Sequence, residues 1–362
     1  MTKKTVLMLG MGHSQVDLAM AARQYGANIF ACARNLDGPA RPFVDGCREI
    51  KADAIFTLGL EMALEPMALA SERLGINTFY SMDTLKRLKD KVTWREKLEE
   101  VQGNLRYDSG YEPEDFADWD LYPAILKPSD SSGQRGVFRV RDFDEVQAYF
   151  PKSQSYSKSG LMIMEEYAQG DEISVNSFME GGELKFAIIS DRLSYQDLPG
   201  GIIKEHHIPS QYDHPPLSGR ILELVKRVNQ VMGFENGHIY FQMKIHGQDL
   251  SLIEFTPRFD GCHMWRLIRT VTGLDLLQVT LENLLEGSSR TLRDYQPVDL
   301  SRHPYHLKFN SDKAGVLVDY ANYPVHPDAV FNYWYYQEGQ TINRITDILE
   351  KVGYYIFQPD KV

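Results

Sequence analysis

The spacing of apolar residues at the start of the chain predicts a βαβ unit. Val6–Leu9 is a short apolar run, Gly10–His13 is a turn, and Ser14–Tyr25 carries apolar residues at helical spacing before a second apolar run at Asn28–Ala33. The next apolar run, Ala54–Leu58, begins only about twenty residues later, a gap too short for a further strand with its crossover helix. We therefore predict a trimmed Rossmann-like domain.

The Gly10-Met11-Gly12 turn raises the question of a dinucleotide site. The third glycine of the dinucleotide fingerprint is missing, and no acidic residue closes the following strand. A tight turn beneath a Rossmann-like domain is therefore the favoured interpretation.

Helical spacing recurs in four later segments: Glu61–Leu74, Leu85–Glu100, Leu217–Met232 and Leu267–Leu285. The last is broken at Gly273-Leu274-Asp275, where Asp275 is predicted to cap the second half. We also predict a brief strand at Thr78–Tyr80 and a polar linker or surface loop at Asn104–Trp119. Residues 297–362 are rich in Tyr and Phe and are predicted to form short antiparallel strands.

The segment Ala124–Val137, AILKPSDSSGQRGV, carries the first candidate chemistry. A short apolar strand ends at Lys127, and a loop of small residues follows from Ser129 to Gly136. A lysine at a strand end contacts phosphate, and a small-residue loop offers backbone N–H groups to phosphate oxygens. No Walker A sequence occurs in the chain, so this loop by itself is a weak indication of nucleotide binding.

The second candidate segment contains two carboxylates on either side of a bend. Met162–Tyr167 is predicted to be a strand, Gln169-Gly170 a tight bend, and Glu172–Val175 the returning strand. Extended backbone next to a nucleotide offers N–H and C=O groups to adenine, and a carboxylate accepts the ribose hydroxyls. For this segment alone, a hairpin with solvated acidic residues is at least as good an interpretation.

The third candidate segment is an alternating hairpin, Ile239–Ile245 and Leu250–Phe255. Gln242 and Glu254 are predicted to lie on adjacent strands and to face the same way. Two oxygen ligands together with phosphate oxygens suit magnesium. A structural ion pair between a buried carboxylate and Arg258 is the alternative for this segment alone.

In this order the three segments resemble the ATP-grasp superfamily of ATP-dependent carboxylate ligases, from about Thr5 to Leu285. The resemblance implies an α/β fold, with α+β architecture in the ATP-grasp lobes. It implies a trimmed Rossmann-like N-terminal domain over residues 1–83, a helix and linker over 84–120, a small nucleotide-clamping lobe over 121–178, and a large lobe over 179–362.

The resemblance also assigns roles to individual residues. It implies that ATP is bound by Lys91, Lys127, Ser131, Ser132, Gly133, Gly136, Glu165, Glu166, Ala168 and Glu172. It implies that magnesium, for which Mn2+ can substitute, is bound by Gln242, Glu254 and Thr256, and that Arg258 and Lys127 act at the transferring phosphate. The motif usually reads E-x-N-P-R, and Thr256 replaces its asparagine with a shorter, neutral ligand.

The activity implied is the ATP-dependent joining of a carboxylate to an amine through an acyl phosphate. The amine is expected to belong to an amino acid or a small peptide-like metabolite. Two alternatives stay open at this point: a bicarbonate-activating carboxylase, and a nucleotide-binding protein with a weakened metal site. The neutral Gln242 and Thr256 are the support for the last.

Candidate substrate residues follow from position rather than from a motif. Arg192, His206 and His207 lie in Asp191–Ser210, which is predicted to be a loop that either faces the site or is an ordinary mobile surface loop. Asp260 and His263 follow Arg258, although a hydrogen-bonded histidine at a helix start is the favoured interpretation of His263.

Net charge and cysteine content indicate which classes of partner and which compartment suit the chain. The 362 residues carry a formal net charge of −11, which argues against nucleic acid as a main partner and leaves small molecules. Cys32, Cys47 and Cys262 lack metal or redox spacing and fit a reducing cytoplasm. No segment is apolar enough to span a membrane, so we predict a cytoplasmic protein, with a homodimer suggested only by analogy with relatives.

Overall fold

The computed structural model describes residues 3–33, 37–46, 52–131, 133, 135–198, 201–345 and 348–359. The first domain has the predicted βαβ opening: strands β1 (Thr5–Leu9), β2 (Asn28–Cys32) and β3 (Ala54–Phe56) are parallel in the order β2-β1-β3. Helix α1 (His13–Tyr25) crosses over between β1 and β2. Ser132 and Cys47 lie outside the described residues.

Three α-helices follow the first sheet: α2 (Leu64–Leu74), α3 (Met82–Lys89) and α4 (Lys91–Lys97). The single helix predicted over Leu85–Glu100 is wrong, because Asp90 has an extended backbone and its side chain accepts hydrogen bonds from the N–H groups of Val92 and Thr93. The strand predicted at Thr78–Tyr80 is also wrong. In this segment the buried Tyr80 instead donates its hydroxyl to the carbonyl of His238 at 2.7 Å.

A small antiparallel sheet follows, with β4 (Tyr107–Gly110), β5 (Ala124–Pro128), β6 (Phe138–Val140) and β7 (Met162–Glu166) in the order β4-β7-β5-β6. Helix α5 (Phe143–Gln154) packs on this sheet and buries Val146 and Phe150 against it. The loop predicted over Asn104–Trp119 is therefore wrong at β4, which pairs with β7. The predicted domain boundaries stay predictions.

A larger antiparallel sheet in the described part of the chain contains the remaining strands in the order β12-β11-β8-β9-β10-β13-β15-β14. The strands are β8 (Asp171–Glu180), β9 (Glu183–Ser194), β10 (Ile203–Ile208), β11 (Gly237–His246), β12 (Asp249–Thr256), β13 (Tyr305–Asp312), β14 (Ala329–Trp334) and β15 (Glu350–Phe357). The alternating hairpin and the C-terminal antiparallel strands are confirmed. The loop predicted over Asp191–Ser210 is wrong at both of its ends, because residues 191–194 belong to β9 and residues 203–208 to β10.

The helices that pack around this sheet are α6 (Leu217–Met232), α7 (Met264–Thr272), α8 (Leu276–Glu286) and α9 (Arg290–Asp294). The described residues also form short 3-10 helices at Arg41–Phe43, Glu61–Ala63, Pro113–Phe116, Leu300–Arg302 and Tyr320–Asn322. The break before α8 is confirmed, and Asp275 accepts hydrogen bonds from the N–H groups of Leu277 and Gln278. None of the helices in the described ranges has the length and apolar character needed to cross a bilayer.

The chain passes between the two antiparallel sheets at Gly170. The predicted hairpin of Met162–Tyr167 with Glu172–Val175 is wrong, because β7 pairs with β4 and β5 while β8 pairs with β9 and β11. Gly170 has φ +93°, and a Cβ there would lie 1.9 Å from the carbonyl oxygen of Ile245. Only glycine fits this crossing, which brings the end of the small sheet next to the β11–β12 hairpin.

Candidate active site

Three buried charged residues form a cluster between the small sheet and the larger one. Lys127 Nζ donates to Glu165 Oε2 at 2.5 Å, and Arg95 Nε donates to Glu165 Oε1 at 3.0 Å. Lys127, Glu165 and Arg95 are 8%, 2% and 0% exposed. Burial by itself raises the pKa of Glu165, but the two cations outweigh it and hold the pKa at about 2. Burial lowers the pKa of Lys127, and Glu165 opposes that effect.

Arg95 joins this cluster to the β11–β12 hairpin. Its guanidinium donates to the carbonyl oxygens of Leu252 at 2.9 Å and Ile253 at 3.4 Å, and to the side-chain oxygen of Asn104 at 2.8 Å. Sequence reasoning missed Arg95, because an arginine in a highly charged helix is normally solvated.

Lys91 lies against the small-residue loop. Its Nζ donates to the carbonyl oxygens of Ser131 at 2.7 Å and Ser129 at 3.4 Å, and its backbone N–H donates to Ser129 at 3.0 Å. The preceding residue, Asp90, accepts a hydrogen bond from the Ser129 hydroxyl at 2.8 Å. The start of helix α4 therefore fixes both Lys91 and the first half of the loop.

The glycines of the loop have different surroundings. Gly136 has φ +75°, and a Cβ there would lie 2.9 Å from the carbonyl oxygen of Ser153, so it closes the loop tightly against α5. Gly133 has φ +67°, and its Cβ position faces open space. A side chain at position 133 would therefore meet no described protein atom, and only the positive φ favours glycine there.

The resemblance implies that Glu165, Glu166 and Ala168 contact adenine; the first two end β7, and Ala168 follows in the segment between the two sheets. The backbone N–H of Glu166 already donates to the carbonyl of Arg106 at 3.0 Å, and its carboxylate accepts from the N–H of Arg106 at 3.2 Å. The Glu165 side chain faces Lys127 and Arg95. The carbonyl of Glu166 and the backbone of Ala168 are therefore the groups in this segment that suit an adenine edge.

Glu172 and Gln242 are in contact across β8 and β11. Gln242 Nε2 and the Arg192 guanidinium both donate to Glu172 Oε1. Burial raises the pKa of Glu172 even though Arg192 and Lys244 oppose it. The second carboxylate oxygen, Oε2, takes no part in these two contacts.

The predicted metal ligands are brought together by strand register. Gln242 lies directly opposite Glu254 in the β11–β12 pair, and Thr256 lies opposite Tyr240. Because the amide nitrogen of Gln242 donates to Glu172, its amide oxygen is left for a cation. The donors are one carboxylate, one amide oxygen and one hydroxyl. Three oxygen donors fit a hard cation such as Mg2+, and only the carboxylate among them carries a charge.

Arg258 follows this hairpin and faces the N-terminal domain. It contacts Glu61 at 3.3 Å and donates to the carbonyl of Phe259 at 3.0 Å. Its Nε is buried and has no hydrogen-bond partner among the described residues. Glu61 lies on a 3-10 helix of the first domain, so Arg258 joins that domain to the β11–β12 hairpin.

Asp260, His206 and Cys262 form a buried polar group beside Arg192 and Lys351. His206 Nε2 and Asp260 Oδ2 are 3.9 Å apart, and Lys351 Nζ is 3.4 Å from Cys262 Sγ. Burial lowers the pKa of His206 to about 4 and raises the pKa of Cys262 to about 11. Burial raises the pKa of Asp260, but His206 and the nearby cations outweigh it and lower that pKa. Sequence reasoning missed Lys351, which no motif marks.

Several polar atoms of this group have no hydrogen-bond partner within the described ranges. They are both ring nitrogens of His206 and Asp260 Oδ2, in side chains that are 0% and 5% exposed. Unpaired buried polar atoms are costly. Together with two neighbouring cations, they indicate a place for a small polar ligand or water.

Two predicted substrate residues lie elsewhere. His207 follows His206 on β10 and so points to the opposite face of the sheet, where it is 22% exposed. His263 precedes helix α7 in a left-handed conformation, and its ring contacts Tyr335 at 2.8 Å and Asp17 at 3.5 Å. The structure does not bring either residue together with Lys127 and Glu254, and His263 matches the favoured interpretation of a histidine at a helix start.

Residues 121–265 match the family model described as an ATP-grasp domain. The chain is 26% identical over 313 residues to alanine–anticapsin ligase of Bacillus amyloliquefaciens, with 77% of this chain and 65% of that protein covered. The chain thus spans less than two thirds of the length of the alanine–anticapsin ligases it matches.

Solved structures share the whole fold. An L-amino acid ligase from Bacillus licheniformis superimposes with a TM-score of 0.79 at 15% identity, covering 99% of this chain and 93% of that one. The biotin carboxylase domain of Hydrogenobacter thermophilus 2-oxoglutarate carboxylase gives a TM-score of 0.81 at 15% identity, covering 99% and 87%. The α/β class and the trimmed Rossmann-like domain followed by two ATP-grasp lobes are confirmed.

Proposed function

We propose that the chain, whose residues 121–265 match the ATP-grasp domain family, is an ATP-dependent ligase that joins a carboxylate to an amine. In the first step, a carboxylate oxygen of the substrate bonds to the γ-phosphorus of ATP and the bond from that phosphorus to the ADP oxygen breaks. In the second, the amine nitrogen attacks the acyl carbon, phosphate leaves with the electrons of the C–O bond, and the nitrogen loses a proton. The amine belongs to an amino acid or a small peptide-like metabolite.

One observation carries this proposal: a single buried guanidinium holds the two halves of the site together. Arg95 contacts Glu165, the partner of Lys127, and also the carbonyl groups of Leu252 and Ile253, which immediately precede Glu254. The cation for the phosphates and the carboxylate for the metal are thereby held in one rigid unit. Acyl phosphate formation depends on such positioning rather than on covalent catalysis.

The remaining residues have the roles that the resemblance implies. Lys91 and Lys127 offset charge on the transferring phosphoryl group, and the loop with Ser131, Ser132, Gly133 and Gly136 covers the phosphates. Glu172 Oε2 accepts from the ribose, and Arg258 steadies the transferring group. Gln242, Glu254 and Thr256 would hold Mg2+ or Mn2+, which when bound neutralises phosphate oxygens.

The buried group around Asp260 suits the amino-acid substrate. Arg192 and Lys351 are cations that fit a carboxylate, and Asp260 is an anion that fits an ammonium group. We place the zwitterionic end of an amino acid here, next to His206. His263 stays a prediction without a role in this arrangement.

Phosphate release tests the proposal directly. We expect the purified chain with ATP and Mg2+ to release phosphate only with certain pairs of amino acids in a malachite-green screen that also contains hydroxy acids and bicarbonate. Lys127→Met and Glu254→Gln should each lower kcat by about 10²–10³, because each removes a preorganised charge at the phosphoryl group.

The matched controls are Lys185 and Glu183, which form an exposed ion pair on β9. Lys185→Met and Glu183→Gln should stay within twofold of the unmodified chain. Phosphate release that requires bicarbonate alone, or ATP binding without any release, would contradict a carboxylate–amine ligase. Glu254→Gln with activity within tenfold would contradict the metal assignment.

Partners and location complete the proposal. We propose that the partners are small-molecule carboxylates and amines, and that nucleic acid is not among them. The homodimer and the cytoplasmic location remain predictions from the sequence.

A further inference from the structure

A second group of potential metal ligands lies on the outer face of the large sheet. Glu205 and His207 are two residues apart on β10 and so share one face, and His306 lies directly opposite His207 on β13. His206, between them, points to the other face, where the candidate active site lies. The group Glu205, His207 and His306 is therefore separated from the ATP-grasp site by the thickness of the sheet.

The ligand atoms of this group converge. Glu205 Oε1 lies 3.2 Å from His207 Nε2 and 3.3 Å from His306 Nδ1, and one ligand atom from each residue lies within 4.8 Å of the other two. Zinc bonds of about 2.0–2.1 Å at tetrahedral angles separate neighbouring ligand atoms by about 3.3 Å. A charge-assisted hydrogen bond would be shorter, at about 2.7–2.9 Å.

The group is also accessible and incompletely paired. His207 and His306 are 22% and 21% exposed at their side chains, so an ion can enter from solvent. His207 Nε2 is buried and has no hydrogen-bond partner in the described part of the chain. The two rings stack with centroids 3.5 Å apart at 11°, so each must tilt about its outer χ angle to point at one ion. That torsion is soft in histidine.

The chemistry of the donors selects the ion. Two imidazoles and one carboxylate suit zinc and its neighbours among the transition metals, whereas magnesium prefers oxygen ligands. The other histidine-containing group, His206, Asp260 and Cys262, is buried and faces two cations, Arg192 and Lys351, whose charges oppose a divalent cation. The group on the outer face has a neighbouring cation, Lys308, which lies opposite Glu205.

We propose that Glu205, His207 and His306 bind one zinc-type divalent ion with the fourth position open to water. The ion joins β10 to β13, and thereby clips the strand that carries His206 to the C-terminal part of the sheet. Because it binds the folded chain alone, it stabilises that chain.

Zinc binding to the full chain tests this proposal. Titration against a chromogenic chelator in millimolar Mg2+ should show one Zn2+ per chain, and Co2+ should give the intense visible bands of four-coordinate sites. His306→Ala and Glu205→Gln should each weaken Zn2+ binding by about 100-fold, since even outer-shell changes cost 10–100-fold. Zn2+ should raise the melting temperature of the unmodified chain and not that of either variant.

The matched control is His326→Ala, which removes a nearby histidine that stacks on Phe357 instead. It should keep both the Zn2+ affinity and the Co2+ spectrum. If His306→Ala does not fold, the Zn2+ affinity of Glu205→Gln tests the proposal by itself. Equal Zn2+ affinity in the unmodified chain and in Glu205→Gln, or no stoichiometric uptake in Mg2+, would overturn the proposal. Neither result bears on phosphate release, which tests the ligase separately.

Discussion

Arg95 is the residue on which the charge balance of the candidate site depends. Two buried cations, Arg95 and Lys127, share the single carboxylate of Glu165, so the cluster carries one net positive charge. Without Arg95, Lys127 and Glu165 would form a neutral buried pair, and such pairs hold each other strongly. Arg95 thus acts as a competing counterion that leaves the charge of Lys127 available to a phosphate.

This balance predicts a compensating pair of substitutions. Arg95→Met should weaken binding of a non-hydrolysable ATP analogue by at least about tenfold, because Lys127 becomes neutralised by Glu165 and loses charge toward the phosphates. Adding Glu165→Gln should restore part of that binding, because the competing carboxylate is gone. Isothermal titration calorimetry on both variants measures the effect.

The control is Arg220→Met, which removes an arginine that donates to a backbone carbonyl, that of Gln248, away from the cluster. The Arg220→Met variant should bind the ATP analogue with the affinity of the unmodified chain. A double variant that binds no better than Arg95→Met would show that Arg95 acts by holding the β12 backbone and not through charge.

At the scale of elements, helix α4 is positioned by its N-cap. Asp90 accepts hydrogen bonds from Val92 and Thr93 and also from the hydroxyl of Ser129. One carboxylate therefore starts the helix and holds the first residue of the phosphate loop. Lys91 is the first residue of the helix, so loss of the cap displaces the lysine as well as the loop.

Asp90→Ala should lower the free energy of unfolding by about 1–2 kcal/mol, the usual cost of an N-cap, and raise the KM for ATP. Asp275→Ala is the matched control, because Asp275 caps α8 through the same two types of contact. It should lower stability by a similar amount and leave the KM unchanged. Urea unfolding and steady-state kinetics distinguish the two, and an equal KM in both variants would contradict the positional role of Asp90.

Sequence pattern predicted the elements whose partners are near in the chain. The alternation in β11 and β12 correctly predicted that Gln242 and Glu254 lie on adjacent strands. They face each other because a bulge between Gln242 and Met243 shifts the register set by the two-residue turn Gly247-Gln248. The same reasoning failed for Met162–Tyr167 and Glu172–Val175. A short bend there also predicts a hairpin, and the close contact of Gly170 with Ile245 that sends the chain into another sheet is a long-range packing effect.

At the scale of the whole molecule, the contacts that complete the site join distant parts of the chain. Arg95 and Leu252 are 157 residues apart, and Arg258 and Glu61 are 197 apart. The order of the large sheet places β8 between β9 and β11, which no local pattern specifies. Arg95 and Lys351 therefore could not be identified from sequence, whereas Lys127 and Glu254 could, because each ends or lines a recognisable strand.

The folded chain also holds neutral histidines in its interior, which predicts how its stability depends on pH. Burial lowers the pKa of both His206 and His238 to about 4, against about 6.5 in the unfolded chain. Between these values the unfolded state binds the extra protons, so stability is full above pH 6.5 and falls as the pH decreases toward 4. Each histidine should lower the free energy of unfolding by roughly 2 kcal/mol as the pH falls from 7 to 5.

Carboxylates do not account for a loss of stability between pH 7 and pH 5. Glu165 has a pKa of about 2 in the folded chain. Its ionised carboxylate therefore stabilises the folded chain at pH values above about 4.5, and this contribution is lost only as the pH falls below that value. Glu172, whose pKa burial raises, acts in the opposite direction.

His238→Gln keeps a side-chain donor for the carbonyl of Arg258, and should reduce the loss of unfolding free energy between pH 7 and pH 5 by roughly 2 kcal/mol in urea unfolding. His246→Gln, at the exposed end of β11, should leave the loss unchanged, and an undiminished loss in His238→Gln would show that His238 is not the group that takes up the proton.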